Sequence, residues 1–123
     1  MGTFRIAVRV SHPTDEARSA ELYDVLVDTG SELSWIPAGI LESLGIRRHK
    51  RMRFRQASGT VLERDTGVAV IHAAGTLAGD DVVFGEPGDM TLLGARSLEG
   101  LNVTIDPVSK RLVDAGPAPA AAA

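Results

Sequence analysis

Twice in this chain a short apolar run stops at a tight glycine-containing turn and gives way to a short helical segment. The first instance is Val25-Leu26-Val27-Asp28-Thr29-Gly30, ahead of a helix expected over 37–44. The second is Thr91-Leu92-Leu93-Gly94, ahead of one expected over 95–100. Each half of the chain therefore builds the same strand, turn and helix, although no sequence repeat at a period of about 20 to 50 residues marks a solenoid. With 123 residues there is material for one core, so a function that needs two lobes must draw on two chains. Thirteen glycines and six prolines against 4% aromatic residues favour many turns and short elements, which points to an all-β or β-rich fold.

Period-2 alternation supports that class. Phe4, Ile6, Val8 and Val10 alternate with Arg5, Ala7 and Arg9, as a strand with one buried face requires. A turn over 11–15 precedes a second strand over 21–27, which becomes continuously apolar at its end. Residues 51–56 alternate again. Ala57-Ser58-Gly59-Thr60 offers a turn and Val61 to Ile71 resumes the β pattern, together a long hairpin. Short strands are expected at 82–84 and 91–93. Gly100 is expected to close the second helix, and 102–105 with 110–113 form a last hairpin around Asp106-Pro107. The domain spans 1–114, and the Ala/Pro-rich tail 115–123 is expected to be disordered.

Asp28 closes a buried apolar strand, where a carboxylate is costly unless its charge is shared or hydrogen-bonded. Gly30 lets backbone N–H groups approach that carboxylate closely. An isolated Asp-Thr-Gly triplet is a common capped turn, but its setting here is specific. Leu26-Val27-Asp28-Thr29-Gly30-Ser31 is followed by Trp35-Ile36-Pro37 and Leu41 to Ile46, then by Leu92-Leu93-Gly94 with Leu98-Glu99 behind it. From Phe4 to Val113 this constellation resembles the retropepsin-like aspartic proteases. It looks most like the small bacterial single-domain type, whose chains end in a Leu-Glu helix, an Asp-Pro turn and an Arg-Leu-Val strand. Here those are Leu98-Glu99, Asp106-Pro107 and Arg111-Leu112-Val113.

The resemblance implies an all-β, retropepsin-like barrel with one or two short helices and a flap hairpin, assembled as a homodimer. Each chain would contribute Asp28 to an aspartic endopeptidase site that hydrolyses peptide bonds of a polypeptide substrate, with no metal and no cofactor. Two carboxylates a few ångströms apart cannot both ionise easily. One member then takes a proton from a water between them while the other polarises the substrate carbonyl. Thr29 would bond across the dimer, Gly30 would aim its N–H at the carboxylate, and Ser31 would steady the outer oxygen. Leu92, Leu93 and Gly94 would form the apolar turn beneath the pair. Ala57, Ser58, Gly59 and Thr60 would form the flap tip over the substrate, and Trp35 lines a substrate pocket or belongs to the core. The sequence departs from the retroviral pattern at a flap tip with a single glycine, and at Ala95, where an arginine is usual. Arg96 paired with Glu32 is the expected substitute.

The remaining features have plainer readings. Asp65-Thr66-Gly67 follows Glu63-Arg64, not a buried strand, and reads as a polar hairpin position. The basic run 47–55 reads as a solvated face, with Met52 and Phe54 inward, before an acidic-peptide subsite or an anionic partner. His12, His49 and His72 lack metal-ligand spacing, and zero cysteines exclude disulfides and thiol chemistry. A net charge of -3 gives no reason to expect nucleic acid as a partner. The alternating N-terminus argues against a signal peptide and no stretch suits a membrane span, so cytoplasmic residence is the default expectation. The alternative function is a non-catalytic dimerisation or peptide-binding module on the same scaffold, and a third is a basic-surface binding protein.

Overall fold

The computed structural model describes residues 4–121; residues 1–3 and 122–123, the outer ends of the expected domain and tail, lie outside the described residues. The chain runs as β1 (Arg5–His12), β2 (Asp15–Val27), β3 (Ser34–Pro37), α1 (Ala38–Ser43), β4 (Lys50–Arg55), β5 (Val61–Ala73) and β6 (Thr76–Gly85). It then continues as β7 (Leu92–Leu93), α2 (Ala95–Leu101), β8 (Val103–Asp106) and β9 (Arg111–Asp114). Seven strands form one sheet in the order β1-β2-β7-β3-β6-β5-β4, and a further pairing of β1 with β5 closes six of them into a barrel. Closure removes the free edges of those six strands, leaving β4 as the open edge of this sheet. β8 and β9 pair separately as a two-stranded sheet.

The core follows from the alternation. Val8 and Val10 of β1, Val25 and Val27 of β2, Ile71 of β5, Val82 and Phe84 of β6 and Leu93 of β7 point inward, joined by Leu41, Leu98 and Leu101 from the helices. The fold is therefore all-β with two short helices, as expected. Several boundaries differ from the sequence reading, each for a local reason. The first turn narrows to Pro13-Thr14, and β2 starts at Asp15 by pairing with β1; its first four residues, Asp15 to Arg18, are exposed on both faces and show no alternation in the sequence. β3 covers four residues, too few for a period to register, although Ser34 and Ile36 are buried and Trp35 and Pro37 half-buried. β6 begins at Thr76 because its first half pairs along β5 through Gly79, Asp80 and Asp81, residues that suggest a loop. The β5–β6 hairpin turns through Ala74 and Gly75, both at positive φ, which is the twist a two-residue hairpin loop demands.

α2 does not end at Gly100. That glycine lies inside the helix, where a Cβ would sit 3.0 Å from the Ala78 Cβ, and the left-handed cap is Asn102 at φ 54°. Gly45, at φ +76°, does follow α1 as expected. Asn102 also fastens the start of the tail: its amide donates to the Gly116 carbonyl at 2.9 Å and its carbonyl accepts the Ala115 N–H at 3.0 Å.

Candidate active site

The two glycine turns meet edge to edge. β2 and β7 run parallel with Leu26 opposite Leu92 and Val27 opposite Leu93, and β3 passes between β7 and β6, antiparallel to the first and parallel to the second. Because β2 ends against β7, the Asp28 N–H donates to the Leu93 carbonyl at 3.0 Å. Asp28 is half-buried, with Thr29 and Gly30 exposed beside it. The Gly30 N–H donates to Asp28 Oδ1 at 2.9 Å, and the Ser31 N–H to the Asp28 carbonyl at 3.2 Å. The turn thus presents one carboxylate, oriented by its own backbone, at the end of a buried strand.

Gly94 is demanded by contact. A Cβ there would strike the Leu33 carbonyl and lie 2.8 Å from the Ser31 carbonyl oxygen. The residues that follow lock the turns together: the Ala95 N–H donates to the Ser31 carbonyl at 2.8 Å and the Arg96 N–H to the Glu32 carbonyl at 3.0 Å. The Arg96 and Glu32 side chains approach only to 3.8 Å and both are well exposed, so the expected pair is loose and the backbone bonds hold this contact. Ser31 departs from the expected role. Its hydroxyl donates to the Leu33 carbonyl at 2.7 Å, bracing the chain after the turn instead of meeting the carboxylate.

Beside Asp28 and Thr29 opens a groove of about 450 Å³ whose apolar wall includes Phe4, Val27, Leu98, Val103 and Ile105. The long hairpin lies elsewhere on the barrel. Its tip, Ala57 to Thr60, is exposed, and the turn is closed by the Gln56 N–H to the Thr60 carbonyl at 2.8 Å and the Gly59 N–H to the Gln56 carbonyl at 2.9 Å. Gly59 takes φ +92°, so the one glycine of this tip stands where a left-handed residue is required. Trp35 is half-buried and meets Phe54 of β4 edge-on at 5.2 Å, which fastens the hairpin to β3.

The sequence reading missed a second fastening. Arg64 of β5 grips Asp89 with two bonds of 2.8 and 3.0 Å, both side chains nearly buried, and its guanidinium lies 5.9 Å from the Trp35 ring. That bond to Arg64 holds the Asp89 carboxyl below the usual aspartate range. A buried polar chain was missed too: Ser34 and Ser97, both fully buried, bond to each other at 2.6 Å, and Ser97 reaches Asp80 at 3.0 Å. The available signal was a serine between the apolar Leu33 and Ile36.

The other flagged residues occupy structural places. Asp65 pairs with Arg48 at 2.9 Å and Arg51 at 3.2 Å, and its carboxyl is lowered first by the bond from Arg48. Thr66 and Gly67 are buried, not polar hairpin positions on the surface; a Cβ on Gly67 would meet Phe84. Arginines 51, 53 and 55 are exposed while Met52 and Phe54 turn inward, and the basic run is interleaved with acids: Glu42, Asp65 and Asp81 each pair with one or more of its members. Among the described residues no group of three or more His, Asp or Glu side chains forms a metal site, and no helix is long and apolar enough to cross a membrane.

A six-stranded barrel with two glycine turns side by side and a hairpin whose outer strand, β4, extends the sheet has the retropepsin-like fold. The solution structure of the simian foamy virus (mac) protease is similar to it, with a TM-score of 0.51 at 16% identity over 77% of this chain and 91% of that one. No protein-family model matches the chain, and no curated protein does.

Proposed function

We propose that the chain is an aspartic endopeptidase of the small single-domain type, working as a homodimer in which the two Asp28 carboxylates face each other across the two-fold axis. The observation that carries this reading is the Asp28 turn: a half-buried carboxylate oriented by the Gly30 N–H at 2.9 Å and tied through its own N–H to Leu93. One chain supplies one such carboxylate, and the chemistry needs two. Brought together, the pair shares a proton; the ionised member deprotonates a water while the protonated one polarises the scissile carbonyl. The open apolar groove beside Thr29 favours a second copy as the partner, because it leaves Phe4, Val103 and Ile105 available for burial next to the exposed turn. The hairpin tipped by Ala57 to Thr60 would cover an extended peptide and offer it backbone hydrogen bonds.

The test is cleavage of a mixed peptide library at about pH 4 to 6, where a shared-proton pair operates, at concentrations at which dimer is demonstrated. The wild-type protein is expected to cleave and Asp28→Asn to cleave nothing. Equal behaviour of the two proteins removes the reading and leaves a non-catalytic peptide-binding or dimerisation module on the same scaffold.

A further inference from the structure

We propose that Asp80 is a positioning residue for the Asp28 turn: its carboxylate sets the direction of a buried hydroxyl chain that holds the Leu93–Gly94 peptide against the Asp28 backbone. The geometry is continuous. The Asp28 N–H donates to the Leu93 carbonyl at 3.0 Å. The N–H of that same peptide unit, on Gly94, donates to Ser34 Oγ at 2.9 Å. Ser34 and Ser97 hydroxyls are 2.6 Å apart, and the Ser97 hydroxyl donates to Asp80 Oδ2 at 3.0 Å. One peptide plane is thus held at its oxygen by Asp28 and at its nitrogen by the chain that ends on Asp80.

Proton counting gives the chain one direction. Each serine has a single hydroxyl proton. Ser97 spends its proton on Asp80, so Ser34 must spend its own on Ser97, and the Ser34 lone pairs are then free to accept Gly94. Ser34 and Ser97 are both fully buried, and no water can substitute for a lost partner without a cavity to hold it. A neutral Asp80 or an asparagine reverses the chain. Asp80 Oδ1 already accepts the Asp81 N–H at 2.8 Å, so the group facing Ser97 becomes a donor, and the Ser34 proton is left to find a new acceptor beside Gly94. Hydrogen bonds in series reinforce one another, so the anion at the end strengthens every link back to Asp28.

Burial pushes the Asp80 carboxyl above its ordinary value, against the bonds from Ser97 and Asp81 and the nearby Arg96. The charged groups that face it are Arg96 on α2 and Asp81 on β6 itself; β5 brings Ala69 opposite, and β3 the Ser34 hydroxyl. For an acid raised in the folded state, the stability cost is absent below the ordinary value near 3.8 and complete above the raised one. Holding Asp80 ionised therefore costs stability relative to its neutral form.

The kinetic half of this inference rests on the protease reading; the structural half does not. In an Asp28→Asn background, which is inactive by design and lacks the Asp28 titration, the Gly94 amide resonance is expected to shift with pH at the same midpoint as the Asp80 side-chain carbon. Adding Asp80→Asn should flatten it. A Gly94 signal that stays flat while Asp80 titrates overturns the proposal. In the active protein, Asp80→Asn and Ser97→Ala are each expected to lower kcat by roughly tenfold or more with KM within about twofold, as misplacement of a catalytic group does. Wild-type kcat in both variants also overturns it. If the wild-type protein cleaves nothing, the protease reading falls and the resonance experiment alone decides whether Asp80 holds the turn.

Discussion

At the scale of single residues, this site is built from what the turns leave out. Gly30 has a Cβ position 3.1 Å from Asp28 Oδ1, so any side chain there crowds the oxygen its own N–H must reach. Gly94 is more constrained still, because the Leu33 and Ser31 carbonyls already fill the place of a Cβ. Neither glycine is needed for a positive φ; both serve close approach of backbone to backbone or to carboxylate. Gly94→Ala is accordingly expected to destabilise the fold by about 1–3 kcal/mol, the usual cost of forcing atoms into a filled space. Denaturant unfolding measures it, and a midpoint equal to wild type would show that the two turns can separate without loss. Ser31, whose hydroxyl braces Leu33, is expected to matter for the turn's rigidity and not for contact with the carboxylate.

At the scale of elements, the hairpin of β4 and β5 is tied down by Phe54 on Trp35 and by Arg64 on Asp89, among other contacts. The second tie joins β5 to the loop that leads into β7, so the hairpin and the strand beside the Asp28 turn share one ion pair. Asp89 sits below its ordinary value in the folded state, chiefly through Arg64, so its stabilisation is complete above the usual aspartate value near 3.8 and is lost as pH falls through the lowered one. Arg64→Ala is therefore expected to lower the thermal midpoint at pH 7 and to speed amide exchange over 50–64, with the difference from wild type shrinking once the pH drops below the ordinary value. A gap that stays constant down to strong acid would mean that packing, not charge, carries the tie. Neither tie was legible in the sequence, because Arg64 and Asp89 are 25 residues apart and only the folded sheet brings them together. The Asp28 turn was legible, since its chemistry is local: three consecutive residues after an apolar run. So was the Leu92-Leu93-Gly94 segment, through its echo of the first turn. β3 and the first half of β6 were not, because four residues cannot display a period and Gly79-Asp80-Asp81 reads as a loop until β5 pairs with it.

At the scale of the whole molecule, the internal echo that organises the chain stops short of symmetry in its chemistry. The first turn carries Asp28, whereas the second ends in Gly94 and carries no acid, so the barrel holds one of the two carboxylates that the proposed reaction needs. In the proposed dimer a second chain brings the other, and the groove beside Thr29 offers apolar surface next to the Asp28 turn for the two copies to bury. That arrangement has a quantitative signature. When wild-type protein is equilibrated with an equal amount of Asp28→Asn protein, random pairing leaves about a quarter of the dimers with both acids, since isologous partners exchange without preference. Activity per total dimer is expected to fall to that quarter, and dilution of the wild-type protein alone is expected to reduce its specific activity as the dimer dissociates. An activity of one half in the mixture, unchanged by dilution, would mean that each chain works by itself; the second carboxylate would then have to come from the same barrel, where the echo offers none.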